Sequence, residues 1–304
     1  MNQKFKISLR APGTKSGRGH FSFRIKETLS VEPSTYVMPD RVVVVADVAG
    51  RFRSLRRLLL KEKVIDKYYR WTFGNGHLVI LGNCFDKDEQ SVECLWLIYS
   101  LEERAMRKGG HVHFLLGDYE LKGLEGEWRF RQPRYAKVPW KSSIPYAVLY
   151  DGNNELWRWL QTKNVAERIG DVLFTYGGVA RLSDGPGGNV ECINEIARSQ
   201  YIRKSGIGMN SMSKHLSELG NLVDPTGEIS FSGPSKREVE KLLASFGVNT
   251  MITSHTAIKT VLSIFDGRVI NVNAGDSVDI TEWILIRNGI FFHVRMEGTR
   301  RRIR

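Results

Sequence analysis

Residues 41–50 read RVVVVADVAG, and the class of fold turns on them. The β-branched run 41–46 shows no polar alternation, which is the pattern of a strand buried on both faces. It stops at Asp47-Val48-Ala49-Gly50, and residues 52–63 then carry Leu55, Leu58 and Leu59 at helical spacing. The same order recurs twice downstream. His77–Leu81 ends at Gly82-Asn83 ahead of a helix over 90–108, and 111–116 ends at Gly117-Asp118-Tyr119-Glu120. Strand, polar turn and helix in series predict an α/β fold with crossover helices. In such sheets the chemistry sits at the carboxyl ends of the strands.

Working outward, Phe5, Ile7 and Leu9 alternate with polar residues, as do Phe21, Phe23 and Ile25, so residues 1–40 read as a small β addition and a connector. Residues 41–304 form the main domain, with insertions at about 121–150 and 183–235 and a basic tail over 295–304. A helix is expected over 154–163, a strand at Val172–Thr175 running into Tyr176-Gly177-Gly178, and a helix over 235–246. Thr250–Thr253 is a strand reaching Ser254-His255-Thr256. Four further strands cover 261–265, 268–272, 283–286 and 290–294, with tight turns at Asp266-Gly267 and Asn288-Gly289.

Charge is the unusual bulk property. The 304 residues carry 45 Lys and Arg against 33 Asp and Glu, a net +12, yet residues 1–27 hold +6 and residues 295–304 hold +4. The body is near neutral and the ends are cationic, which suits nucleic acid or an acidic partner, or simply solubility. Three cysteines without a CxxC pair exclude a disulfide framework. No apolar run approaches a membrane span and the N-terminus has no apolar signal core, so a cytoplasmic protein is expected. No GxxxxGK[ST] phosphate loop is present, and Cys84 is read as an inert thiol.

The ordered strand ends carry a resemblance. DVAGRFRSLRRLL, YRWTFGNGHLVILGNCFDKD, LWLIYSLEERAMRKGGHVHFLLGDYE, ELWRWLQTKNVAERIGDVLFTYGG and ITSHT make the chain similar to the calcineurin-like metallophosphoesterase superfamily. More narrowly, it resembles the bacterial Shewanella-like branch related to PPP protein phosphatases. The resemblance implies two mixed β-sheets packed as a sandwich, flanked by helices, around two metals that polarise phosphate and activate a bridging water. It also implies six ligand positions. Asp47 and His255 keep the family residue. The others hold Ala49 for His, Asn83 for the bridging Asp, Asp118 for Asn and Tyr176 for His. Tyr119 stands where the family has its general-acid His, Lys87 replaces a phosphate-gripping Arg, and Asp86 and Glu120 persist. Arg129 fits a family Arg, whereas the expected Trp-Tyr-Arg-Gly element is replaced by Phe231-Ser232-Gly233-Pro234.

Alanine ligates nothing, and a neutral amide at position 83 is no bridge between two dications. These losses predict a degenerate member, a pseudophosphatase, with no cofactor or at most one divalent Mn, Fe or Zn held by Asp47, Asn83, Asp118 and His255. The facing carboxylates of Asp47 and Asp118 then need a countercharge, expected from Lys87. Two functions follow. One is a binding or scaffold protein for RNA, a ribonucleoprotein or an acidic protein, with Arg129, Arg131, Arg134, Arg300, Arg301, Arg302 and Arg304 as polyanion contacts. The other is an active phosphoesterase with a remodelled one-metal site, using Asp86, Asp118 and Glu120 as acid and base and Lys87 and Arg129 on phosphate.

Overall fold

The computed structural model describes residues 6–10, 20–85, 90–124, 154–177, 189–202, 235–274 and 279–304. An N-terminal hairpin, β1 (Lys6–Arg10) and β2 (His20–Arg24), precedes a short β3 (Thr35–Tyr36). Then come β4 (Arg41–Ala46), α1 (Phe52–Lys61), β5 (His77–Leu81), α2 (Ser91–Met106), β6 (His111–Leu115) and α3 (Asp118–Leu124). The middle of the chain supplies α4 (Glu155–Leu160), β7 (Ala166–Ile169), β8 (Val172–Thr175) and α5 (Val190–Ile202). Last are α6 (Lys236–Ser245), β9 (Thr250–Thr253), β10 (Leu262–Ile264), β11 (Val269–Asn271), β12 (Glu282–Arg287), β13 (Ile290–Arg295) and β14 (Arg300–Arg302).

These strands build two six-stranded mixed sheets, ordered β14-β13-β12-β4-β5-β6 and β10-β11-β9-β8-β7-β3. Strands β4, β5 and β6 run parallel, as the crossover helices require, and β12 closes antiparallel on β4. The valine run of β4 explains the layering. Val42 and Val44 meet Val172, Phe174 and Ile252 of the other sheet in the sandwich core. Val43 and Val45 turn the other way, into the core built on Leu55 and Leu58 of α1 and on Leu95 and Ile98 of α2. Every valine of β4 is fully buried, as the unbroken apolar run predicts. The two-sheet sandwich with flanking helices matches the expected fold class.

Three expectations change. Residues 183–235 read as a surface insertion, yet within the described part, 189–202, α5 docks on β7. The buried Asn194 accepts from the backbone N–H of Val165 (2.9 Å) and Ala166 (3.2 Å) and donates to the Ala166 carbonyl (2.8 Å). The amide substitutes for a neighbouring strand, which a Gly- and Ser-rich composition hides. Residues 295–304 are not a tail: Arg300, Arg301 and Arg302 pair with Val294, His293 and Phe292 as an edge strand. Residues 118–120, read as a polar turn, and 121–124, read as the start of an insertion, together form the helix α3.

Candidate functional site

The carboxyl ends of β4, β5 and β6 converge, and their turns are tightly wound. Asp47, Ala49, Gly50, Gly82 and Asn83 all take left-handed φ values between 50° and 73°. Such conformations cost energy at non-glycine residues and collect at sites the surrounding structure enforces. Gly82 shows why no side chain fits there, since a Cβ would lie 2.6 Å from the Gly117 Cα and 2.8 Å from the Tyr176 ring. The Ala49 N–H donates to the Asn83 carbonyl at 2.7 Å, tying the first two turns together. The third turn is held by Glu120. Its buried carboxylate accepts from the N–H groups of Asn83 (2.8 Å), Cys84 (2.6 Å), Phe85 (3.1 Å) and Gly117 (2.9 Å). Burial pushes its pKa up to about 7, and the four backbone bonds restrain that rise. Both oxygens are thereby committed to holding the loop.

The side chains lining the crevice meet as the ordered motifs predict. The Asn83 amide donates to the Tyr176 hydroxyl, while its oxygen accepts from the Tyr119 N–H at 3.3 Å. Tyr176 is 5% exposed, and its ring stands edge-on to His255 with centroids 5.5 Å apart. Burial raises the Tyr176 pKa, and the negative charges of Asp118 and Asp47 add to this, so the phenol stays protonated. Burial lowers the His255 pKa, with Asp118 pulling the other way, so the imidazole is held toward its neutral form. Thr253 Oγ1 (2.8 Å) and the N–H groups of Ser254 (2.9 Å) and His255 (2.9 Å) converge on the Tyr176 carbonyl, fixing the fifth turn against the fourth.

The countercharge for Asp118 comes from an unexpected residue. Lys122 Nζ lies 3.0 Å from Asp118 Oδ2, one turn along α3, and sits 5.5 Å from the Tyr119 ring centroid. Reading 117–120 as a polar turn and 121 onward as an insertion hid this i,i+4 pair. Lys87, the expected partner, lies outside the described residues, as do Asp86, Arg129, Arg131 and Arg134. Cys84 is fully buried beside Cys94, and burial drives its thiol pKa well up, which leaves no thiolate.

These residues can be matched against the donors a two-metal centre needs. Position 49 has no donor atom. Both polar atoms of Asn83 are engaged by protein, and Tyr176 offers a protonated, already hydrogen-bonded hydroxyl. Asp47, Asp118 and His255 remain. Among the described residues, no group of three or more His, Cys, Asp or Glu side chains gathers closely enough to hold a metal ion. Donors of this number and kind do not fit a pair of dications bridged by a carboxylate.

The basic residues lie elsewhere. Arg300 donates to both oxygens of the buried Glu62 (3.2 and 3.1 Å), and the Arg304 guanidinium lies 5.5 Å from the Phe291 ring centroid. Arg301 and Arg302 are exposed on β14. Among the described residues, no helix is long and apolar enough to cross a membrane.

Comparison with known proteins agrees with this fold. Shewanella-like protein phosphatase 2 of Arabidopsis thaliana is 28% identical over 92 residues, 30% of this chain and 24% of that protein. Shewanella-like protein phosphatase 1 of Plasmodium berghei is 22% identical over 144 residues, 47% of this chain and 40% of that protein. The matches thus span well under two thirds of either relative. The crystal structure of the cold-active protein-tyrosine phosphatase of a psychrophilic Shewanella species superposes with a TM-score of 0.81 at 28% identity, covering 98% of this chain and 90% of that one. A family model described as calcineurin-like phosphoesterase matches residues 40–259. By fold, by the order of its strand-end motifs and by this match, the chain belongs to the calcineurin-like phosphoesterase family, in its Shewanella-like branch.

Proposed function

We infer that this protein keeps the phosphoesterase fold as a binding scaffold rather than as a two-metal hydrolase. The observation that carries this reading is the Asn83–Tyr176 hydrogen bond. It joins two of the six family ligand positions to each other, so that protein occupies the coordination a bridging carboxylate and an imidazole would supply. A neutral amide cannot replace the charge of the bridge, and metal-free phosphoryl transfer lacks the positive charge that stabilises its transition state.

The test is direct. Protein purified from its own cell and assayed for Mn, Fe and Zn should carry far less than one metal per chain. With added Mn²⁺ it should turn over no aryl phosphate above the rate of an Asp47→Ala control. Stoichiometric metal, together with turnover that Asp47→Ala abolishes, overturns the reading. A second reading is favoured by one observation. Asp118 Oδ1 and His255 Nδ1 are buried without hydrogen-bond partners among the described residues, as ligands of a single cation would be. Under that one-metal reading the same assay shows turnover lost in Asp118→Asn and in His255→Gln.

A further inference from the structure

At the opposite end of β4 from Asp47 lies a second recess, of about 460 Å³. Its cations are Arg41, Lys61, Lys63, Arg287 and Arg300, against the carboxylates of Asp40 and Glu62, a local net charge of +3. Two features make this more than a scatter of surface charge. First, the β4–β12 register sets Arg41 directly opposite Arg287. Like charges facing each other across an antiparallel pair destabilise a sheet, and an anion between them reverses the sign. Second, three of the cations are held in place. Arg41 Nη2 donates to the Phe73 carbonyl at 3.0 Å with its guanidinium 4.4 Å from the Phe73 ring centroid. Lys61 Nζ donates to the Met296 carbonyl at 2.9 Å, and Arg300 is locked on Glu62, which also accepts from Trp283 Nε1 at 3.2 Å. Glu62 is thus already neutralised, leaving the excess positive charge for a ligand.

We propose that this recess and the adjoining edge of β14 bind the phosphodiester backbone of a single-stranded nucleic acid. Planar guanidinium forks and several converging cations match phosphate oxygens, which also supply the charge the facing arginines lack. A polymer is favoured over a single phosphate because the cations extend sideways from the recess onto the edge strand β14, where Arg302 pairs with Phe292 and so lies level with Leu285 of the recess lining. Arg302 lies two residues beyond Arg300 on the same face of an exposed edge strand, about 6.6 Å further on. A concave recess takes one flexible backbone more easily than a stiff duplex, whose phosphates lie on a convex cylinder. The proposal names a surface and a partner for the scaffold reading but does not need the crevice to be inert.

Fluorescence anisotropy with a labelled 12-mer of oligouridylate, using the full chain, tests it. Lys63→Glu and Arg287→Glu are the informative variants, because among the described residues neither side chain makes a hydrogen bond or ion pair that a fold defect could be traced to. Each should weaken binding tenfold or more and reduce the slope of log affinity against log salt by about one or more. Lys241→Glu, an exposed cation on α6, should bind within twofold of wild type. The urea midpoints of Lys63→Glu and Lys241→Glu should match the parent, and Arg287→Glu, which sets an opposite charge against Arg41, should unfold at the same or a higher urea concentration. Unchanged affinity in Lys63→Glu and Arg287→Glu overturns the proposal, as does a loss of equal size in Lys241→Glu. Equal affinity for an oligoglutamate peptide overturns it in favour of an acidic protein partner, and binding of pyrophosphate but not the 12-mer in favour of a small anion. Aryl-phosphate turnover measured on the same variants should not move, so failure here and failure of the scaffold reading leave different records.

Discussion

Asn83 and Glu120 show how much one side chain decides at this crevice. Glu120 looked like an acid–base candidate in sequence, but its oxygens hold four backbone N–H groups and so shape the turn that positions Asn83. Restoring the family carboxylate by Asn83→Asp would set a third negative group near Asp47 and Asp118 and remove the amide donor to Tyr176. It should lower stability by about 1–3 kcal/mol in urea unfolding. Added Mn²⁺ should not restore the loss, because Ala49 and Tyr176 still supply no imidazole. A Mn²⁺-dependent recovery of the urea midpoint would count against the scaffold reading. The identities at 47, 49, 83, 118, 176 and 255 were legible because motif order fixes them. Lys122 was not, because its pairing with Asp118 depends on the helical state of α3.

Among elements, the terminal hairpins contribute more than their length suggests. Phe21 of β2 is 1% exposed and packs on Phe52 of α1 and on Tyr69, with ring centroids 6.1 and 5.4 Å away. The alternation that suggested a β addition is therefore a seal on the outer core. Phe21→Ala should cost about 3–5 kcal/mol in urea unfolding, well beyond what an undocked extension would lose. A change below 1 kcal/mol would mean that the hairpin is not part of the cooperative unit. The other end carries the matching lesson. Truncating β14 would strip β13 of its outer partner and Glu62 of Arg300, so deletion of 296–304 tests the fold, whereas point changes at Arg302 test binding. The basic composition of this segment was legible; its pairing was not, since arginines on an edge strand give no apolar alternation.

On the scale of the whole molecule, buried ionisable groups set an unusual pH response. His113 bridges Glu167 (2.6 Å) and His77 (3.0 Å) between the sheets, and burial holds both imidazoles down to about 3 from 6.5. As pH falls from 6.5 toward 3, the unfolded chain gains these two protons before the fold does, so stability drops. Burial raises Glu120 and Glu167 to about 7 from 4.5, with the opposite sign. Their contribution is full below 4.5 and is lost as pH rises through 7. Between 6.5 and 4.5 the glutamates oppose the two histidines and His255, which burial also holds low, so the urea midpoint should decline only shallowly. Below 4.5 only the acid-sensitive side remains, joined by Glu102, Asp279 and Glu282. Burial opposes ionisation of Glu102, but Lys163 and Lys26 outweigh it. The Ser54 hydroxyl holds Asp279 low. Hydrogen bonds from Val261 and Thr260 outweigh the burial of Glu282. The midpoint should then fall steeply. Glu120→Gln removes one opposing group, so its midpoint should decline more steeply than the parent's across 6.5 to 4.5, and an unchanged slope would refute the assignment.

What the sequence by itself determined is the part written in local period and motif order: the doubly buried β4, the crossover helices, the strand-end series and the residue types that stand at its turns. These follow from side-chain alternation and from residue types that ligate or do not. Only the tertiary structure decided that Asn83 and Tyr176 satisfy each other, that Glu120 is a clamp, and that Arg41 faces Arg287. Each of those joins residues far apart in the chain, through a sheet register or a turn conformation that no local pattern encodes.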